Sequence, residues 1–159
     1  MVASSYTDEV SVNASLSRVW KSTVWDSHNF FPKIMPDFFT KAEIIGDGGV
    51  GSIKIFHFGP AGPGGVTKNK VEVLDDVTHR LVYSVIEGPL LGPVLKAHVF
   101  DTTFEASGAD SCVAKVKISV DTVGDEPLNE EIAKDLREGG VGVLKATEAY
   151  LLSNPDAYA

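Results

Sequence analysis

DEPLNEEIAKDLREGGVGVLKATEAYLLSNP, running from Asp125 to Pro155, is the stretch whose reading decides the fold. Leu128, Ile132, Leu136, Val143 and Tyr150 recur at spacings of four and seven, which puts them on one stripe of an α-helix. Glu130, Glu131, Lys134, Asp135, Glu138, Lys145 and Glu148 are left for solvent. Asp125 is expected as the N-cap, Pro127 in the first turn, and Asn154-Pro155 as the stop. A long helix with one apolar stripe needs one large apolar partner.

The residues upstream supply it. Tyr6 to Asn13 alternates as a strand. Ser15 is positioned to cap a short helix in which Leu16, Val19 and Trp20 share a side, and a second short helix follows from Ser27 toward Ile34, kept short by Pro32 and Pro36. Strand-like runs then cover Lys41–Ile45, Ser52–Phe58, Val66–Leu74, Arg80–Glu87, Val94–Glu105 and Ser111–Thr122, joined by short links rich in Gly, Pro, Asp and Ser. Such links make consecutive strands antiparallel neighbours. The expected fold is α+β: a seven-stranded curved antiparallel sheet gripping a long C-terminal helix, with two short helices after the first strand. No repeat, linker or change of composition divides residues 1–159, so one domain is expected.

Composition narrows the function classes. Hydrophobic residues make up 43% and charged residues 23%, ordinary values for a globular chain. The N-terminal MVASSYTDEV has neither the basic cluster nor the apolar stretch of a signal peptide, and no run reaches the roughly 18 apolar residues of a membrane span, so a cytoplasmic location is expected. The single cysteine, Cys112, fits a reducing compartment. A formal charge of −8 without a basic run disfavours nucleic acid and anionic lipid as partners. His28, His57, His79 and His98 lack metal-ligand spacing, and neither a metal nor a cofactor is expected.

Three separated strings, GDGGVGSIK (Gly46–Lys54), YSVIEG (Tyr83–Gly88) and KATEAYLLSNPDAY (Lys145–Tyr158), resemble the class-ten pathogenesis-related proteins of plants, the family of the major birch pollen allergen. FPKI, Phe31 to Ile34, falls where that family has its second helix. The resemblance spans nearly the whole chain and implies the helix-grip fold, with a hollow interior that takes up flavonoids, cytokinins, steroids and similar amphiphiles. It also implies that some members are enzymes, notably norcoclaurine synthase, and that ribonuclease activity has been claimed for others.

The glycine-rich loop Gly46, Asp47, Gly48, Gly49, Val50, Gly51 invites a phosphate-binding reading. It has no Lys-Ser/Thr pair and leads into a strand rather than a helix, so a tight hairpin that needs positive φ is the reading preferred. Strand parity predicts the inward residues. Lys54, Phe56 and Phe58 share a face, as do Leu81, Tyr83, Val85 and Glu87; His98 goes with Phe100, and Val116 with Cys112, Ala114, Ile118 and Val120. Parity alone fits a packed core or a pocket; the resemblance favours the pocket. From the helix, Leu136, Gly139, Gly140 and Val143 are expected to border it. Gly139, Gly140 and Gly142 lie on or beside the inward stripe, where each costs about 1 kcal/mol of helix propensity. They mark either room for a ligand or a kink and close helix–sheet contact.

Asp8 and Lys54 are expected as satisfied rim residues of this ligand site, and His98 either as a satisfied core histidine or as a group orienting a ligand hydroxyl. The links Gly59–Gly65 and Gly88–Pro93 are expected near each other at one end of the sheet, with Leu90 and Leu91 either closing as a lid or packing on the body. The resulting expectation is a monomeric intracellular plant defence or stress protein that stores or transports small hydrophobic or amphiphilic metabolites, with no catalytic residue assigned. The alternative is an enzyme of secondary metabolism acting in the same cavity through Lys54, Glu87 and His98, by condensation or isomerisation, or a weak ribonuclease. Against a norcoclaurine-synthase-like activity, the last strand presents only apolar side chains inward, with Lys115 and Lys117 on the opposite parity. The abscisic acid receptors share the fold, but FGPAGPGG (Phe58–Gly65) stands where they carry their gate.

Overall fold

Each strand after the first hydrogen-bonds to the next in sequence, as links this short require. The computed structural model describes residues 1–159. Its strands are β1 (Ala3–Val12), β2 (Phe39–Ile45), β3 (Ile53–Phe58), β4 (Val66–Asp75), β5 (Arg80–Glu87), β6 (Leu95–Gly108) and β7 (Ser111–Thr122). They form one antiparallel sheet in the order β1-β7-β6-β5-β4-β3-β2. The first strand joins the last by a full ladder in which Tyr6 faces Ile118 and Val12 faces Cys112. Helices α1 (Leu16–Trp20) and α2 (Ser27–Ile34) are separated by a π-helical turn over Lys21–Trp25, which no feature of the sequence announces. Ser15 caps α1 as expected, accepting from the Arg18 amide.

Helix α3 spans Glu130–Ser153, and its start corrects the expected one. The cap is Asn129, not Asp125: its side chain accepts from the amides of Glu131 and Ile132, and Glu130 and Glu131 lie at the positive end of the helix dipole. Pro127 and Leu128 precede the helix. Thr122 holds that approach by donating its one hydroxyl hydrogen to the Glu126 carbonyl at 2.9 Å, with the Gly124 carbonyl 3.2 Å away. Asn129→Ala is expected to cost about 1 kcal/mol, read as a lower urea midpoint with unchanged slope. At the far end, Arg18 donates to the carbonyls of Leu151, Asn154 and Ala157, tying the end of α3 and the terminal turn to α1.

The glycine loop is the β2–β3 hairpin. Gly46, Gly48 and Gly51 have φ of 108°, 97° and 90°, values that other residues adopt only with strain. Its amides are already engaged: Gly48 donates to Ser52 Oγ, Gly49 to Asp47 Oδ1, and Gly51 to the Val71 carbonyl. This is a hairpin braced by its own side chains rather than a cradle open to an anion.

The core is in two parts. One joins Val10, Val12, Val19, Trp20, Leu81, Phe104, Cys112 and Ala114 to Leu144 and Leu151 of α3. The other joins Leu95, Ile118 and Val120 to Leu128 and Ala133. Helix α3 is thus anchored near both ends, and no residue from Lys134 to Val143 is buried. Those ten residues include all three helix glycines. Leu90 and Leu91 pack on the second cluster, the plain-link arrangement, and their loop does meet the other: a Cβ on Gly65 would stand 2.8 Å from Pro89.

Candidate functional site

Alternation along β3 to β7 turns one set of side chains toward α3. Leu81 and Val85 of β5, Phe56 of β3 and Ile118 and Val120 of β7 are buried there. Phe58, Tyr83, Phe100, Val116, Leu136 and Val143 are half-buried around them. Phe56 and Phe58 belong to an aromatic group with Phe31, Phe38 and Phe39 that fills the β2–β3 side. On the helix, a Cβ added to Gly140 meets nothing within 4 Å, and one on Gly139 meets only Phe38, at 3.9 Å. The glycines therefore do not mark a close helix–sheet approach. Gly142 departs from the expected position: it lies about 200° around the helix from Gly140, away from the inner sheet face and beside an open concavity toward β1.

Lys54 is not a rim residue. It has no exposed surface, because β3 turns it under α2, where Nζ donates to the Val24 carbonyl and to Ser27 Oγ at 2.8 Å. The ammonium lies 5.7 Å from the centre of the Tyr83 ring. Burial lowers its pKa to about 8 against a partial counter-effect from Asp26. Sequence parity showed that Lys54 points inward but not that α2 supplies it with acceptors.

Asp8 of β1 is partly exposed and faces α3. Arg137 of α3 donates to both its oxygens at 2.9 and 3.0 Å, holding the carboxyl below its usual range. This pair spans an open concavity of about 600 Å³ between β1 and α3, floored by Tyr6, Leu128, Ala133 and Val141. Glu87 is exposed and paired with Lys68 at 2.8 Å, so it is no partner for buried Lys54 and His98 in an acid–base group.

Two inward polar side chains have atoms that no protein group meets, His98 Nε2 and Asn69 Oδ1, and the Tyr83 hydroxyl has only Ser27 near it, outside good hydrogen-bond geometry. Burial pushes the Tyr83 hydroxyl well above its usual pKa and pulls His98 down to about 4, so both are neutral at pH 7. His98 also lies against the Phe100 ring, with centroids 4.6 Å apart. Asn69 was missed in the sequence reading. Its signal was there, since Asn69 and Val71 alternate with Lys68, Lys70 and Glu72, but a strand rich in lysine draws no attention to its one amide. No group of three or more His, Cys, Asp or Glu side chains is placed to hold a metal ion, and no helix is long and apolar enough to cross a membrane.

The long helix against a curved sheet, the glycine hairpin and the strand order together match one known family: the profile of the "Pathogenesis-related protein Bet v 1 family" covers residues 1–154. The chain belongs to the Bet v 1 family. Among its relatives, pathogenesis-related protein STH-2 of Solanum tuberosum is 38% identical over 159 residues, all of both chains. In structure it superposes on Ara h 8.0201 with a TM-score of 0.84 and 28% identity, over 96% of this chain and 100% of that one. Norcoclaurine synthase from Thalictrum flavum, solved with dopamine and hydroxybenzaldehyde, gives a TM-score of 0.74 and 27% identity, over 96% of this chain and 88% of that one. For a Bet v 1 family member, the helix-grip architecture is as the sequence led one to expect.

Proposed function

We propose that this Bet v 1 family protein binds small, largely apolar amphiphilic metabolites between the inner face of the sheet and the middle of α3, as a cytoplasmic, monomeric storage or transport protein of plant defence or stress. The observation that carries this reading is the unburied middle of α3. Ten residues without a buried side chain, open space at Gly140 and unmet polar atoms on the opposing strands are what a site leaves when a ligand completes it. A packed core at this position would put Leu or Met at Gly140.

The expected site groups are those already described: Phe56, Phe58, Leu81, Tyr83, Val85, His98, Phe100 and Val116 from the sheet, and Leu136, Gly139, Gly140 and Val143 from the helix. Lys54 braces the floor through α2, and Asp8 ties the rim to Arg137. Catalysis of the norcoclaurine synthase kind has less support, because Cys112, Ala114, Val116, Ile118 and Val120 give β7 an apolar inner face and the Lys54 amine is engaged by Val24 and Ser27.

The test is titration with N-phenylnaphthylamine, an uncharged probe whose fluorescence rises in apolar surroundings, followed by displacement with flavonoids, cytokinins and steroids. Micromolar affinity is expected, about 8 kcal/mol, within reach of burying a two- or three-ring molecule. No fluorescence rise at any protein concentration would refute the reading.

A further inference from the structure

His98 and Asn69 are 6% and 8% exposed, and each ends in a polar atom without a protein partner. Buried polar atoms are rarely left so, and two on one face of a sheet point to a common partner. The pairing register relates them. Asn69 faces Val85 across β4 and β5, and Ser84 faces Val99 across β5 and β6, which brings His98 beside Val85. Asn69 and His98 thus lie two strands apart, with backbones separated by roughly 10 Å and apolar Val85 between them. Tyr83 is in the next row beside Phe100.

The charges on this face restrict what fits. Lys54 is its one cation, and its ammonium already serves the Val24 carbonyl, Ser27 Oγ and the Tyr83 ring. These partners are neutral and leave its charge in place, but Lys54 stands three strands from His98, where a carboxylate would be desolvated without a cation to pair with. An amide oxygen needs a donor, whereas a neutral imidazole nitrogen takes a donor or an acceptor according to tautomer. A hydroxyl meets both requirements; an ether oxygen cannot donate, and a carboxylate brings only acceptors and a charge.

We propose that His98 and Asn69 make the interior site selective for uncharged ligands carrying hydroxyl groups at the two ends of a flat apolar body about two rings long. The inference rests on the binding reading above and adds the class of ligand and the residues that choose it. Sites built to hydrogen-bond a hydroxyl reject analogues that lack it, because the buried polar groups then go unpaired.

The experiment uses three ligands on one skeleton: biphenyl with a para hydroxyl on each ring, the same molecule with both hydroxyls methylated, and biphenyl with a para carboxylate on each ring. Each displaces N-phenylnaphthylamine from the wild type, from His98→Leu and from Asn69→Leu. In the wild type the diol is expected to bind at least about tenfold more tightly than the dimethyl ether or the dicarboxylate. In each variant that advantage shrinks to within about threefold while N-phenylnaphthylamine still binds. Equal binding of diol and ether to the wild type, tighter binding of the dicarboxylate, or an undiminished preference in both variants overturns the inference and leaves the binding reading standing. Failure of N-phenylnaphthylamine to bind the wild type overturns both. Should a leucine variant not fold, the wild-type ranking and His98→Phe, which keeps a ring against Phe100, give the same decision.

Discussion

Lys54→Met is expected to remove a rise in stability that the wild type shows between pH 8 and pH 10.5. An unfolded lysine keeps its proton up to pH 10.5, whereas Lys54 in the folded protein gives it up at about 8, because burial penalises the charged form. Between those values the unfolded chain binds more protons than the folded one, so raising the pH favours the folded state. The penalty is complete below pH 8 and gone above pH 10.5. At about 1.4 kcal/mol per unit it amounts to about 3 kcal/mol, undiscounted for solvent because the side chain has no exposed surface. Other groups act the opposite way in this range: Cys112 is raised to about 11, and the Tyr83 and Tyr158 hydroxyls are raised as well, so the unfolded chain loses those protons first. They are common to both proteins and cancel in the difference. Methionine keeps most of the stem's volume and removes the titrating amine. Urea unfolding of both proteins at several pH values from 7 to 10.5 gives the difference directly. Parallel curves would mean that Lys54 is not held as a buried ammonium between Val24 and Ser27.

Fold and site were legible to different depths for a physical reason. Strands β5 and β7 and helix α2 fall on the expected residues, since Gly, Pro and Asx links bracket them and their periods are unambiguous. The start of α3 was not readable, because both Asp125 and Asn129 are competent caps and the choice depends on Leu128 being drawn into the cluster with Leu95 and Val120. The π-helical turn at Lys21–Trp25 had no sequence signal either, since its hydrogen bonds are between backbone groups of ordinary residues. At the site, alternation located Tyr83, His98 and Phe100 on the inner face. Alternation says nothing about partners in distant elements. That Lys54 meets Val24 and Ser27, 30 and 27 residues away, and that Asp8 meets Arg137, 129 residues away, follows only once α2 and α3 are docked. The sequence therefore displays the face of the site, while its electrostatics belong to the assembled fold.

Gly140→Leu is expected to move stability and affinity in opposite directions. Neither Gly140 nor Gly142 has a positive φ, so a side chain at either position adopts its helical geometry without strain. Replacing an interior helix glycine contributes about 1 kcal/mol from propensity alone. At Gly140 the leucine also enters open space facing the sheet, and burying part of it there brings the gain to about 2 kcal/mol. That same volume is what a ligand would occupy, so N-phenylnaphthylamine should bind about tenfold or more weakly, a loss of about 1.4 kcal/mol or more. Gly142→Leu supplies the control. It has equal freedom from clashes but lies on the other side of the helix, so it should gain the propensity increment and leave affinity unchanged. Thermal melts and probe titrations on the three proteins separate the two contributions. Higher stability in both variants with wild-type affinity in Gly140→Leu would show that the gap in the stripe of α3 does not border the ligand, and the site would then have to be sought outside the helix, along the groove that Asp8 and Arg137 span.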